Sequence, residues 1–356
     1  MRQIQIGKYI ISKKSPPFIV AEAGINHNGE LDKAYSMIKV AKQSGADAIK
    51  FQTFKAEEFV SSLTQTYTYI SQGKEITESM LEMFKRYEFI PDEWYLIKKK
   101  CDEENVLFFS TPQNRSDLDL LLDIGVPCIK VGSDDFTNLP LIKDYSQKGL
   151  PLILSCGMAD LAEIYQTLEV SGAFYGYPVI LLLCTSQYPT PPEDVNLLKL
   201  KTLENAFPDL ILGFSDHTQG DLASSLAVAM GAVVFEKHFT LDHNLHGPDH
   251  WFSEDPGSLG EWVKSIRTAF TMMGSPIVRP TEKELINKKE FQRFIVASKD
   301  INKGDIFKED YFETKRISSG KGLPHNFINI LSGSKASRDF KKETQLFYEE
   351  SIFFGK

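Results

Sequence analysis

Residues 210–217 and 233–238 read LILGFSDH and VVFEKH. Each stretch begins with a short apolar run and ends in a histidine, His217 or His238. The residues between them, 220–230, are mostly small and apolar, which is typical of a helix packed on a sheet. A strand–helix–strand unit brings the ends of its two parallel strands to the same edge of the sheet. The pattern therefore predicts a βαβ unit with the two histidines close together.

The same alternation of apolar runs and helical patterns extends over most of the chain. The predicted strands are Phe18–Ala21, Ala48–Phe51, Val106–Ser110, Cys128–Val131, Leu152–Ser155, Val179–Cys184, Leu210–Phe214 and Val233–Phe235. The predicted helices are Leu31–Ser44, Pro91–Asn105, Arg115–Ile124, Pro140–Gln147, Leu161–Val170, Val195–Phe207, Gly220–Met230 and Leu259–Met273. Eight alternating units within about 260 residues predict an α/β fold, the (β/α)₈ TIM barrel. An open doubly wound sheet is the alternative, but no GxGxxG follows the first strand.

Three segments depart from this repeat. Ile4–Ile6 and Tyr9–Ile11 flank a Gly-Lys pair and predict a short hairpin. The insert Phe54–Ile90, after the second strand, has the length of a lid or binding loop. The sequence predicts a barrel domain over residues 1–280, a polar linker over 281–292 and a small β-rich domain over 293–356.

Composition and charge limit the classes of partner. The chain has 356 residues, 42% of them hydrophobic, and a net charge of −8, which argues against nucleic-acid or membrane-surface binding. The N-terminal segment has no continuous apolar core, so we expect no signal peptide. The cysteines, Cys101, Cys128, Cys156 and Cys184, form no CxxC pair and predict buried thiols in a reducing cytoplasm.

Polar and charged residues follow every predicted strand, at the rim where barrel enzymes carry their active sites. His217 and His238 are candidate ligands for Mn, Zn or Fe, although two unrelated histidines would give the same spacing. Lys50 and Lys130 are candidates for binding a phosphate, unless one of them forms a structural ion pair with Glu22 or Glu236. Hydroxyl donors that could join them are Thr111, Ser133, Ser155 and Ser215.

Three carboxylates complete the candidate set. Glu22 and Asp216 lie at strand ends beside the predicted metal and are candidate acid/base groups. Asp249 lies in a Gly-Pro turn, where it could bind a ligand hydroxyl or simply cap the turn.

A set of motifs spread over nearly the whole chain resembles the sialic acid synthases. In order, these motifs are NHNG, AIKFQTF, FFSTP, KVGS, SCGM, CTSQYPTP, GFSDHT, EKHFT and GPDH. The segment IVASKDINKGDIF near the C-terminus resembles their antifreeze-like (SAF, β-clip) domain. The GPDH motif is similar to the neuraminate and legionaminate branch rather than the pseudaminate branch.

The resemblance implies a transferase that condenses phosphoenolpyruvate (PEP) with an N-acylated mannosamine-type sugar to give a nonulosonic acid and phosphate. The sugar would be N-acetylmannosamine or 2,4-diacetamido-2,4,6-trideoxymannose. A divalent metal, Mn²⁺ with Mg²⁺ or Co²⁺ as alternatives, would be held by His217 and His238. The enzyme would be a domain-swapped homodimer in which Arg316 from one chain contacts the acyl group of the sugar in the other chain's barrel.

The resemblance also implies a role for each candidate residue. The PEP ligands would be Lys50, Thr111, Lys130, Ser133, Ser155 and Ser215. The sugar ligands would be Gln52, Asp135, Tyr188 and Asp249. Glu22 would transfer a proton or activate water. Asp135 and Ser186 stand where the family usually has Glu and, in some members, Asn.

Three other functions fit the sequence less well. Another PEP-dependent 3-deoxy-ulosonate synthase acting on a phosphorylated sugar would need a second phosphate site, but the rim has no arginine cluster. A metal-dependent hydrolase would use more histidine ligands. A carbohydrate-binding or ice-binding protein would leave the charged rim without a purpose.

Overall fold

The computed structural model describes residues 2–61 and 64–348, and the backbone of a short strand at 352–353. Its largest sheet has eight parallel strands, which confirms the predicted (β/α)₈ barrel. The barrel strands, first to eighth, are Phe18–Gly24, Ala48–Thr53, Leu107–Pro112, Ile129–Val131, Leu152–Ser155, Val179–Cys184, Ile211–Asp216 and Val234–His238. The first strand pairs with the eighth, and the third strand lies beside the fourth, so the sheet curves round almost to closure.

Helices follow the barrel strands and cover the outside of the sheet. The barrel helices are Leu31–Gln43, Pro91–Glu103, Arg115–Ile124, Leu139–Ser146, Leu161–Val170, Leu198–Ala206, Leu222–Ala229 and Pro256–Met273. The strands are buried on both faces, as Val179–Cys184 shows with six buried residues in succession. Gly125 ends the helix before the fourth strand in a left-handed conformation, with φ at 85°, which a residue with a Cβ adopts only with strain.

The predicted N-terminal hairpin is also present. Gln3–Ile6 pairs antiparallel with Tyr9–Ser12 around Gly7, and Ile4 and Ile11 join the same apolar core as the barrel strands. This hairpin therefore packs as part of the barrel unit.

The insert after the second barrel strand is a folded element rather than a loop. It contains a short helix at Ala56–Phe59, an antiparallel hairpin of Thr66–Ser71 and Lys74–Ser79, and a helix at Met80–Tyr87. The Ser79 hydroxyl caps the second helix by accepting a hydrogen bond from the Glu82 amide. The expected binding loop is thus a small lid with its own secondary structure.

The chain divides into two compact units, Met1–Gly274 and Ser275–Lys356. The second unit contains a helix at Glu282–Phe291, within the predicted linker, and paired strands at Phe294–Ala297 and Phe312–Lys315. It has an apolar core of its own, formed by Ile295, Ala297, Ile301, Phe307, Phe312, Leu323, Leu331, Ala336, Phe340 and Leu346. The likeness of this β-containing unit to an antifreeze-like domain stays a prediction. Within the described residues, no helix is both long and apolar enough to cross a membrane.

Candidate active site

A cavity of about 430 Å³ opens where the barrel strands end. It brings together most of the residues that the sequence indicates. Those that line it are Glu22, Lys50, Gln52, Thr111, Lys130, Ser133, Ser155, Tyr188, Ser215, His217 and His238. Asp135, Asp216 and Asp249 are not among the lining residues, and Arg316 belongs to the second unit.

The seventh and eighth strands deliver alternate side chains to the cavity. Ser215 and Glu236 are register partners, and the Ser215 hydroxyl donates a 3.0 Å hydrogen bond to Glu236 Oε1. His217 and His238, two residues further along each strand, face the same cavity. Because side chains in a strand alternate between faces, the residues in between must point to the outside of the barrel.

Two lysines and two glutamates form the floor of the cavity. Lys50 Nζ lies 2.8 Å from Glu22 Oε2 and 3.8 Å from Glu236 Oε2, and Lys130 Nζ lies 3.8 Å from Glu236 Oε1. All four side chains are almost completely buried. The lysines are therefore ion-paired and also line the cavity, and their binding of a phosphate stays a prediction.

Burial and the neighbouring charges set the protonation of this floor. Burial is the largest influence on Glu22 and raises its pKa to about 7, against the pull of Lys50. Burial also acts on Glu236, but Lys130 and Lys50 outweigh it and lower the pKa of that carboxyl. The two carboxylates therefore differ: Glu236 is ionised, whereas Glu22 can exchange a proton near neutral pH.

Hydroxyl groups surround the two ammonium groups. Lys50 Nζ donates to Thr111 Oγ1 at 3.2 Å, and Lys130 Nζ donates to Ser155 Oγ at 2.8 Å. Ser133 Oγ accepts from the Gly157 amide at 3.1 Å. A Cβ at position 157 would lie 2.5 Å from Ser133 Oγ, so glycine is required for this close approach. Two cations surrounded by hydroxyls can bind a small polyanion.

The two histidines lie side by side, with ring centroids 5.5 Å apart. His217 Nδ1 is 2.8 Å from the Thr185 carbonyl, which can only accept, so in the neutral ring Nε2 keeps its lone pair. Burial, His217 and the nearby lysines lower the pKa of His238, which is therefore neutral. The Tyr188 ring lies 4.2 Å from His217 and 5.8 Å from His238, so an aromatic side chain borders the pair.

The pair meets the basic requirement for binding a metal. His238 Nδ1 is buried without a hydrogen-bond partner among the described residues, and Asp249 Oδ2 is 3.9 Å away. A neutral imidazole nitrogen that keeps its lone pair can bind a metal. In the described part of the chain, no group of three or more His, Cys, Asp or Glu side chains is arranged to hold a metal ion.

The prediction that Asp216 is an acid/base group of the cavity is wrong, because its side chain lies on the other face of the sheet. Asp216 points to the outside of the barrel, where Lys237 Nζ lies 3.1 Å from its Oδ2. Its carboxylate also accepts from the Thr218 amide and hydroxyl and from the Ser224 hydroxyl at 2.6 Å. Because Asp216 lies one residue after Ser215, strand alternation turns it away from the cavity, and its role is structural.

The other two aspartates lie beside the cavity rather than in its wall. Asp135 accepts a hydrogen bond from Asn138 at 3.0 Å, and its neighbour Asp134 lines the cavity instead. Asp249 faces His238, and burial raises its pKa to about 6. Their roles as sugar ligands stay predictions.

Sequence reasoning missed several lining residues. The sequence indicates Glu236 only as a partner for one lysine, whereas in the structure it lies between both lysines. Cys184 was interpreted as a small buried hydrophobe, but its thiol is 3.8 Å from His217 Nδ1. The period-two alternation of Glu236 and His238 was a usable signal, since it puts both on one face of the strand.

Comparisons with known proteins find relatives along nearly the whole chain. A sequence model of the NeuB family matches residues 37–278. The chain is 41% identical over 331 residues to the N,N'-diacetyllegionaminic acid synthase of Campylobacter jejuni, covering 91% of this chain and 97% of that one. It is 34% identical over 331 residues to the human N-acetylneuraminate-9-phosphate synthase, covering 91% and 90%. The structure of the N-acetylneuraminic acid synthetase of Leptospira borgpetersenii in complex with citrate superposes with a TM-score of 0.72, at 34% identity, over 80% of this chain and 95% of that one.

Proposed function

The chain belongs to the NeuB family, and from that premise we propose that it is a PEP-dependent synthase that joins PEP to an N-acylated mannosamine-type sugar. The products would be a nonulosonic acid and inorganic phosphate. The observation that carries the proposal is the adjacency of two buried lysines, ringed by hydroxyls, to two neighbouring histidines in one cavity.

PEP would lie on the lysine side of the cavity. Its phosphate and carboxylate need cations and hydrogen-bond donors, which Lys50, Lys130 and the surrounding hydroxyls supply. Glu236 neutralises part of the positive charge when the cavity is empty, since it lies 3.8 Å from each lysine. PEP would bring its own negative charge to the same two ammonium groups, so it is held by charge-assisted contacts.

The sugar would react as its open-chain aldehyde. C3 of PEP forms a bond to the aldehyde carbon, water adds at C2, and phosphate leaves with cleavage of its C–O bond. His217 and His238 would hold a divalent cation, for which we propose Mn²⁺, with Mg²⁺ or Co²⁺ as alternatives. Such a cation supplies Lewis acidity toward the aldehyde oxygen.

Glu22 is the group suited to proton transfer. Its Oε1 has no hydrogen-bond partner among the described residues, and its pKa of about 7 lets it hold or release a proton at physiological pH. We assign to it the activation of the water that adds at C2. Gln52 and Tyr188 line the cavity and would bind the sugar, with Asp135 and Asp249 at its margin.

A phosphate-release assay tests the proposal. PEP, Mn²⁺ and a panel of 2-acetamido and 2,4-diacetamido hexoses should release phosphate with at least one sugar, together with a nonulosonic acid detected by mass spectrometry. A 3-deoxy-ulosonate synthase of the alternative kind would respond to pentose or tetrose phosphates instead. Absence of phosphate release with every 2-acetamido sugar, in protein of verified fold, would contradict the proposal.

We propose further that the active unit is a domain-swapped homodimer in the cytoplasm, with Arg316 serving the partner's barrel. Arg316 carries a planar guanidinium that suits the carbonyl of an acyl group. Its guanidinium lies over the Phe291 ring, 5.6 Å from the centroid. The four buried free cysteines are compatible with a reducing compartment.

Subunit complementation tests the dimer. Arg316→Ala and His238→Ala chains should each be nearly inactive alone. After subunit exchange the mixture should recover about a quarter of wild-type activity per total site, because half of the chains pair with the other type and each such pair has one intact site. No recovery after exchange, verified by mass, would contradict an action of Arg316 on the partner's barrel.

A further inference from the structure

The NHNG turn, residues 26–29, follows the first barrel strand, and none of its side chains lines the cavity. The strand-eight loop, residues 239–254, carries Asp249 beside the cavity. The first and eighth strands pair in the sheet, with His238 opposite Glu22, so the turn and the loop leave the rim side by side. The turn is therefore in a position to hold the loop.

Asn28 contacts the strand-eight loop with both ends of its side-chain amide. Its Nδ2 donates to the His246 carbonyl at 2.9 Å, and its Oδ1 lies 2.9 Å from His250 Nε2. The amide oxygen can only accept, so His250 donates this second hydrogen bond. The other ring nitrogen of His250 lies 2.6 Å from Thr240 Oγ1, and His250 is buried. Both ring nitrogens of His250 are therefore held, one of them by Asn28.

The fit between the turn and its neighbours is close. A Cβ at Gly247 would lie 2.8 Å from His250 Cδ2 and 3.3 Å from Asn28 Oδ1, so a side chain there would push the two residues apart. On the other side of the turn, a Cβ at Gly29 would lie 2.2 Å from the carbonyl oxygen of Arg86 in the lid. The NHNG turn is thus packed between the lid and the strand-eight loop, which fixes the position of Asn28.

The backbone around Asp249 is tied to this turn at two points. Asn26 Nδ2 donates to Ser253 Oγ at 3.1 Å, and Ser253 Oγ donates to the Asp249 carbonyl at 2.5 Å. The residue after Asp249 is His250, which Asn28 holds. The Asp249 carboxylate itself approaches His238 at 3.9 Å, beyond hydrogen-bond distance, so the backbone of the loop decides where this carboxylate lies.

We infer that Asn28 is a positioning residue, which through His250 holds Asp249 at the edge of the cavity, where Asp249 would bind a hydroxyl of the sugar. The inference rests on the proposed function, which gives the sugar contact to Asp249. Asn28 does not line the cavity, so its effect on the reaction passes through the strand-eight loop.

Asn28→Gly tests the inference with little disturbance of the backbone. Asn28 has φ at 56°, a left-handed conformation that glycine adopts readily, so the variant removes the amide and keeps the turn. We expect KM for the sugar to rise about 10- to 100-fold with KM for PEP nearly unchanged, since misplacing a group by about 1 Å costs up to about a hundredfold. A variant that merely folds less well would lower the amount of active enzyme, and hence kcat, without raising KM for the sugar.

Asn105→Gly is the matched control. Asn105 has φ at 55°, and its Oδ1 accepts a 2.6 Å hydrogen bond from Lys8. It precedes the third barrel strand, at the end of the barrel away from the cavity. Both variants remove an asparagine side chain from a left-handed position, but only Asn28→Gly should change KM for the sugar.

Asn28→Asp is the conservative variant. It keeps the oxygen that accepts from His250 and loses the donor to the His246 carbonyl. KM for the sugar should therefore lie between the values for the wild type and for Asn28→Gly. The same variant serves should Asn28→Gly fail to fold, because its KM for the sugar should still exceed that of the wild type.

A double-mutant cycle shows whether Asn28 acts through Asp249. Asp249→Ala should raise KM for the sugar. Asn28→Gly added to Asp249→Ala should raise it no further, because the carboxylate that Asn28 positions is already absent.

Trp251 gives a second readout that needs no turnover. It lies two residues after Asp249 and is half-buried, whereas the other two tryptophans, Trp94 and Trp262, are buried. Quenching of the intrinsic fluorescence by acrylamide should therefore report mainly on Trp251. It should increase in Asn28→Gly and stay at the wild-type level in Asn105→Gly.

The outcomes separate this inference from the proposed function. An unchanged KM for the sugar in Asn28→Gly, or effects of Asn28→Gly and Asp249→Ala that multiply, would overturn the inference and leave the proposed function standing. A higher KM in Asn28→Asp than in Asn28→Gly would overturn the role of the His250 hydrogen bond. If the wild type releases no phosphate with any 2-acetamido sugar, the proposed function fails, and the quenching alone decides whether Asn28 holds the loop.

Discussion

Two buried charge clusters lie on opposite faces of the barrel sheet. On the outer face, Asp216 and Lys237 are register partners 3.1 Å apart. Lys237 also donates to the Thr218 and Gly220 carbonyls at 2.6 and 2.9 Å. On the inner face, Lys50 and Lys130 share Glu236 at 3.8 Å each.

The two clusters differ in whether their buried polar atoms have hydrogen-bond partners. The Asp216 carboxylate accepts three hydrogen bonds besides its ion pair. On the inner face, Glu22 Oε1, Glu236 Oε2 and His238 Nδ1 are buried without a hydrogen-bond partner among the described residues. Leaving buried polar atoms unpaired costs stability, so it is tolerated where a ligand completes the set. Burial of charge alone therefore does not identify a site; the unsatisfied atoms of the inner cluster do so because they lie together in one cavity.

The largest effect should follow the removal of metal from the inner cluster. Treatment with a chelator should reduce turnover by about a thousandfold or more, because Lewis-acid stabilisation supplies several kcal/mol to a transition state. Added Mn²⁺ should restore it, and His238→Ala should not respond. The readouts are phosphate release and metal content by mass spectrometry. Full activity in protein verified as metal-free would show that the two histidines are not a metal site.

Matched lysine variants compare the clusters directly. Lys130→Met should raise KM for PEP by one to two decades, since a charge-assisted contact is worth about 1.5–3 kcal/mol. Lys237→Met should leave KM for PEP unchanged but cost about 3–5 kcal/mol in the free energy of unfolding, because Asp216 keeps an uncompensated buried charge. Urea unfolding and steady-state kinetics measure the two effects. An equal increase in KM for PEP in both variants would contradict the assignment of the inner cluster to substrate binding and the outer cluster to stability.

The pH dependence of the reaction should report Glu22. Its pKa of about 7 means that the carboxylate forms as pH rises through neutrality, so kcat/KM should fall about tenfold per pH unit below 7 and level off above it. Because the folded-state pKa is raised above the unfolded value, the contribution of Glu22 to stability is greatest at low pH and is lost as pH rises through about 7. Glu22→Gln should remove the acidic limb, and a limb that persists in this variant would assign it to another group.

The smallest effect concerns single hydroxyls. Thr111→Val removes the 3.2 Å hydrogen bond from Lys50 and should lower kcat/KM for PEP about fivefold, in line with about 1 kcal/mol for one hydrogen bond. Ser224→Ala, which removes a 2.6 Å hydrogen bond to Asp216, is the outer-face counterpart and should lower the melting temperature without changing KM. If Ser224→Ala changed KM and Thr111→Val did not, the outer face rather than the inner face would be the one that binds substrate.

Much of the barrel and the site could be predicted from local sequence. Apolar runs such as Val179–Cys184 mark strands buried on both faces, and the polar residues that follow them mark the rim. The sequence therefore places His217, His238, Lys50 and Lys130 in or just after barrel strands, but it does not give the distances between their side chains. Each strand and helix is predicted by residues that are close together in the chain. The alternation of strands and helices, and with it the fold class, therefore follows from the sequence.

Other features depended on contacts between residues far apart in the chain. Glu236 lies between Lys50 and Lys130 because strands two, four and eight converge on one closed rim. Strand alternation indicates that Asp216 faces away from Ser215, but only the fold of the turn after the fourth strand decides that Asp134 rather than Asp135 lines the cavity. The insert forms one folded lid because Phe54, Phe59 and Phe84 pack together across it. The sequence by itself determined the barrel and its rim of polar residues; only the tertiary structure decided which of those residues meet, since packing across the barrel sets distances that no local pattern carries.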